Sequence, residues 1–247
     1  MTLALVSLSA LAAASVQATV GLGFALVLMP VVFALLSPAA AIITVTALGL
    51  ELNLLVLLGE RRRPRVAWRE IVPILMAAVP GTVCGVLVLR ALPKSVLQVI
   101  VGVALIAAAV LLLRRRAARA GGASGSARAR LAVGFTTGLL STATGVSGPP
   151  LALWLSRVRL TPGEVRDSLS AVFLAIGVIA AASLMPVLGH AHLDASLLAA
   201  GLGCVVGGHA LGSRAFARLD TARFQPLLLL VIGCAGTASV AAGIGGL

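Results

Sequence analysis

Residues Thr142–Trp154 read TATGVSGPPLALW, with three hydroxyl side chains, two glycines and two adjacent prolines among the first nine positions of an otherwise apolar run. Backbone that leaves helical geometry inside a bilayer exposes N–H and C=O groups, each costing several kcal/mol unless protein or a watered cavity satisfies it. Such a break persists where it lines a site. Ser147 is a natural N-cap, and Pro149 and Pro150 suit the first turn of a new helix, where a missing N–H costs nothing. A helix starting there aims its free N–H groups and the positive end of its dipole at the protein centre, which suits an anion, with the hydroxyls of Thr142, Thr144 and Ser147 in support. An earlier stretch, SVQATVGLGFALVLMP, has a similar break at Gly21 and Gly23. The substrate-binding set expected from the two stretches is Gln17, Thr19, Gly21 and Gly23 with Thr142, Thr144, Gly145, Ser147 and Gly148.

Other polar residues within apolar runs carry different chemistry. Glu51, in ALGLELNLLVLLGE, is a candidate proton carrier whose neutralisation would couple to anion movement, with Asn53 beside it. His209, in VVGGHALGSR, is a third coupling candidate, although a single His among small residues more often packs. His190 and His192 fall in the loop GHAHLD, where exposure to solvent is the simpler account. GVSG also matches the surround of a serine nucleophile, with His209 as its base, but Pro149 and Pro150 remove two N–H donors just past Ser147, and no catalytic role is expected. Cys84, Cys204 and Cys234 lack paired spacing, so neither a disulfide framework nor a metal site is expected, and no cofactor is called for.

The elements that must position these groups are membrane spans. The 247 residues are 60% hydrophobic and 11% charged, with a mean hydropathy of +1.13, far from the make-up of a soluble domain. The first residues lack a charged start and a terminated apolar core, so they are expected to belong to the fold rather than to a cleaved signal. A net charge of +12 without aromatic platforms argues against nucleic acid and for basic loops that orient a membrane protein and touch lipid. Trp68 and Trp154, near span ends, read as interfacial anchors.

The chain divides at a basic, Gly/Ser-bearing linker over 114–130. A first repeat, 1–113, holds a hairpin at 2–36 and spans at 39–58, 71–89 and 96–113; a second, 131–247, holds a hairpin at 131–156 and spans at 168–188, 195–211 and 224–244. Shifting by 125 sets Ala18, Thr19, Gly23 and Leu26 on Ala143, Thr144, Gly148 and Leu151, and shifting by 127 sets Gly81 and Gly85 on Gly208 and Gly212. Small residues four apart mark a close helix crossing, so the two glycine pairs are expected to be packing seams in equivalent places.

Loop charge decides the topology. If all eight segments cross once, only 11 of the 19 Lys and Arg residues share a side; if both hairpins return to the side they entered from, 17 do, leaving Arg90 and Lys94. The expected fold is therefore an all-α polytopic membrane protein of two inverted repeats. Each is a re-entrant or broken helical hairpin plus three transmembrane helices, with the linker cytoplasmic and both termini outside.

Two glycine-interrupted hairpins, SVQATVGLGFALVLMP and STATGVSGPPLALWL, each opening a half of a chain of about 250 residues, resemble the TauE/SafE family of sulfite exporters. The resemblance implies a plasma-membrane transporter of small anions, sulfite and sulfonates among them, and carries the family's hairpin pattern onto Gly21, Gly23, Gly145, Gly148 and Pro149. The first copy has Phe24 and Ala25 where the second has prolines. With no nucleotide-binding motif in the chain, a gradient or a partner must supply the energy, a proton being one candidate. A non-transporting membrane scaffold is the rival, and facing hairpin tips around a polar cavity would decide against it.

Overall fold

The computed structural model describes residues 2–58, 63–93, 126–155, 157–158, 160–188 and 195–216, with scattered positions between 95 and 110 and between 237 and 244. Among these there are helices and no strands: α1 (Thr2–Val20), α2 (Phe24–Leu35), α3 (Pro38–Leu58), α4 (Trp68–Ala91), α5 (Ala127–Thr144), α6 (Gly148–Leu155), α7 (Pro162–Leu188) and α8 (Ala195–Phe216). Five of them, α1, α3, α4, α7 and α8, contain windows long and apolar enough to cross a membrane. The spans expected at 96–113 and 224–244 and most of the linker lie largely outside the described residues, as do His190, His192 and Cys234.

Both apolar hairpins are long-arm, short-arm pairs. The first joins 19 residues of α1 to 12 of α2, and the second joins 18 of α5 to 8 of α6. At 1.5 Å per residue the second arms reach only about 18 and 12 Å, too little to cross about 30 Å of hydrocarbon alone. The arms of the second hairpin are thus markedly unequal. Its first arm starts inside the basic segment, where Ser126 caps it by accepting from the Ala129 N–H at 3.2 Å.

Helices extend past other expected boundaries too. α7 begins at a reciprocal cap in LTPGEV: the Thr161 N–H and hydroxyl both donate to Glu164 Oε2 at 2.8 Å, and the Glu164 N–H donates to Thr161 Oγ1 at 3.3 Å. Arg166 and Asp167, outside the expected span 168–188, consequently lie in the helix, and both are buried, as is Ser168 beside them. Asp167 Oδ2 accepts from the Arg65 N–H at 2.8 Å and Ser168 Oγ from the Ala67 N–H at 3.0 Å, fastening the α3–α4 connector to α7. Trp154 is also buried, against its expectation as an interfacial anchor. Its indole N–H donates to Glu70 Oε2 at 3.1 Å, and Arg130 adds an ion pair to the same oxygen at 3.5 Å, whereas Trp68 is exposed.

The two glycine pairs explain how the hairpins are held. A Cβ on Gly81 or Gly85 would fall on the carbonyl of Phe135 or Leu139 in α5, and one on Gly208 or Gly212 would fall on the carbonyl of Leu11 or Ser15 in α1. Gly134 and Gly138 of α5 meet the carbonyls of Ile74 and Ala78 in return. Residue numbers rise together across each seam, so α5 runs parallel to α4 and α1 parallel to α8. Backbone-to-backbone contact of this kind needs residues without side chains on the facing stripe. Each long arm is therefore seated on a helix from the other half of the chain.

Candidate functional site

The first break is closed by glycine conformations. The Gly21 N–H donates to the Gln17 carbonyl at 2.7 Å as α1 ends, and Gly21 and Gly23 take φ of 85° and 128°, which side-chain-bearing residues rarely adopt. The second break repeats this: the Gly145 N–H donates to the Ser141 carbonyl at 3.0 Å, and Gly145 has φ of 70°. The tips then overlap. A Cβ on Gly145 would meet the Met29 thioether in α2, and one on Gly148 would lie 3.0 Å from Leu22 Cδ1 in the first tip.

Where the tips overlap they enclose a cavity of about 550 Å³, counting its open mouth. The first tip contributes Gln17, Gly23 and Phe24, the second contributes Ser141, Gly145, Ser147 and Gly148, and α3 closes one side with Thr46, Gly49 and Asn53. Leu50, Phe173 and Gly177 add apolar wall. The lining has no charged side chain among the described residues. The hydroxyls of Thr46, Ser141 and Ser147 and the amides of Gln17 and Asn53 supply its polarity. A neutral, donor-bearing cavity at two helix N-termini can hold a small anion without a counter-cation.

Of the nine residues expected to bind substrate, the cavity collects Gln17, Gly23, Gly145, Ser147 and Gly148. The other four do not line it. Thr19 donates to the Ser15 carbonyl at 2.7 Å and the Gly212 carbonyl at 3.2 Å; Thr142 donates to the Thr82 carbonyl at 2.7 Å; Thr144 donates to the Leu140 carbonyl at 2.7 Å. The hydroxyls of Thr19 and Thr142 tie their arms to α8 and α4, while that of Thr144 bonds within its own arm. Gly21 faces the backbone of Arg166, whose Cα would be 2.9 Å from an added Cβ.

The coupling candidates separate in the same way. Asn53 lines the cavity and accepts from Gln17 Nε2 at 2.9 Å. Glu51 does not line it, and its Oε2 is enclosed with no hydrogen-bond partner among the described residues. His209 is buried in α8, whose neighbouring Gly208 is seated on α1, and it too is absent from the lining that contains Ser147. Arg166 is the buried cation that sequence reasoning assigned to a loop. The capping pair Thr161 and Glu164 is the signal that could have moved it into the helix.

No curated protein and no solved structure matches the chain. A family model does, over nearly its full length. That family consists of membrane transporters and not of enzymes, in keeping with five helices able to cross a membrane. With residues 6–239 matched to the model for the sulfite exporter TauE/SafE, the chain belongs to that family.

Proposed function

We propose that the protein is a secondary transporter that carries a small anion, sulfur-containing as the family description suggests, across the plasma membrane by alternating access. The observation that carries this reading is the convergence of both glycine-broken tips on one uncharged, donor-lined cavity. A scaffold has no use for such a space, and the Gly/Pro breaks that create it cost stability unless they serve a site.

The helix directions support an inverted repeat. A long arm runs parallel to α4 in one case and to α8 in the other, so the two hairpins enter from opposite faces if α4 and α8 cross in opposite directions. Termini outside and a cytoplasmic basic linker then follow from the distribution of Lys and Arg. The reading is tested by anion flux in proteoliposomes, screened over sulfite, sulfate, sulfonates and carboxylates with and without a pH gradient. Flux of at least one sulfur oxyanion is expected, and folded protein that moves none of these anions defeats it. Labelling of a cysteine at position 157 from the outer face would contradict the topology.

A further inference from the structure

Three hydrogen bonds in series tie α1, α2 and α3 together at the cavity wall. The Phe24 N–H donates to Gln17 Oε1 at 3.1 Å, Gln17 Nε2 donates to Asn53 Oδ1 at 2.9 Å, and Asn53 Nδ2 donates to the Gly49 carbonyl at 2.7 Å. The two ends of the series are main-chain groups, which have one polarity each: an N–H only donates and a C=O only accepts. Turning Gln17 over would set NH₂ against the Phe24 N–H, and turning Asn53 over would set oxygen against the Gly49 oxygen. The whole series therefore has a single direction.

That direction fixes what is left over. An amide nitrogen carries two N–H groups, and the series uses one from each side chain. Both side chains are more than nine-tenths buried, at 3% exposure for Gln17 and 4% for Asn53, and both line the cavity. Neither nitrogen has a second protein acceptor among the described residues, so the remaining N–H groups have the cavity as their outlet. Both amide oxygens, meanwhile, are engaged within the series. The hydroxyls of Thr46, Ser141 and Ser147 can rotate to donate or accept, but the two amides cannot.

We infer that Gln17 and Asn53 form a specificity-determining donor pair, which selects an oxyanion whose oxygens are all unprotonated over one that carries an O–H. This rests on the reading of the cavity as an anion site and adds the rule by which it chooses. A sulfonate offers acceptors only. The monoanion of a phosphonate has the same shape and charge but one O–H, which meets donors where it needs an acceptor.

The test is titration calorimetry of the full chain in lipid nanodiscs with methanesulfonate and, at mildly acidic pH, the methylphosphonate monoanion. Wild-type protein should bind methanesulfonate about tenfold more tightly, the order expected for one hydrogen bond to a charged group. Gln17→Glu keeps an oxygen on the Phe24 N–H but replaces the nitrogen that donates to Asn53 Oδ1 and to the cavity with a charged acceptor, so the series is broken as well. It should weaken methanesulfonate about tenfold or more and methylphosphonate less, so that the preference collapses. Equal affinities in the wild type overturn the inference whether or not the variant folds, as does an unchanged ratio in folded Gln17→Glu. If the wild type binds both anions alike and still transports, only the amide assignment fails; if it neither binds nor moves any anion, the transport reading fails with it.

Discussion

Replacing Gly85 with alanine puts a methyl group where Thr142 Oγ1 and the Leu139 carbonyl already sit. Two outcomes are open to the seam: the helices move apart, or the Thr142 hydroxyl turns away. Overpacking of a close interface costs about 1–3 kcal/mol. Losing the buried 2.7 Å bond from Thr142 to the Thr82 carbonyl adds about 0.5–1.5 kcal/mol. Higher helix propensity of alanine returns about 0.8–1 kcal/mol. The net expectation is a destabilisation of about 0.5–3.7 kcal/mol. Gly203 provides the control, since a Cβ there meets nothing within 4 Å and only the propensity gain applies. Unfolding of both variants in the same detergent, followed by circular dichroism, should separate their midpoints, with Gly85→Ala below and Gly203→Ala at or above the parent. Should Gly85→Ala unfold together with Gly203→Ala, the seam is not what holds α5 on α4.

Other substitutions probe the rest of the site. Gly145→Ala forces a φ of 70° on a residue with a Cβ and drives that Cβ into the Met29 thioether, so it should cost roughly 1–3 kcal/mol and reduce anion flux, whereas Gly163→Ala, with open space around it, should leave flux unchanged. Glu51→Gln should remove the dependence of flux on a pH gradient while sparing anion exchange; if flux and its pH dependence both persist, Glu51 is structural. Trp154→Phe keeps the ring but leaves Glu70 without the indole N–H, and should lower stability by about 1.5–3 kcal/mol, read as a shift in the unfolding midpoint.

The breaks at 21–23 and 145–147 were legible because glycine and proline are the residues that most readily end a helix inside an apolar run, and the two glycine pairs were legible as seams by their spacing. Their partners were not. Which helix settles on Gly81 and Gly85 is a matter of tertiary packing between distant segments, and nothing local encodes it. Thr19, Thr142 and Thr144 show a second limit. A helical hydroxyl always has a carbonyl one turn back within reach, so a threonine beside a break signals anchoring as readily as binding. Gln17 was legible because a long amide near the end of an apolar helix has no such local outlet, and it is the one that reaches across to Phe24 and Asn53. Arg166 and Trp154 share one lesson: charge and indole are expected at the membrane boundary, yet Arg166 is buried within α7 and an acid on α4 receives the indole of Trp154 inside the protein.

The crossed seating of the arms also sets an order on synthesis. α5 finds α4 among residues already made, and the bond from Thr142 to Thr82 spans 60 positions. α1 is made before α8, yet α8 is its seat, and Thr19 bonds to Gly212 across 193 positions. During translation α1 must wait in the membrane, the stripe that will face α8 uncovered, until the intervening helices and α8 have followed. A product that stops short of α8 would keep its α4–α5 seam and lose the α1 seam entirely. Of the two seams, the one that holds the earlier-made arm is thus the later to close.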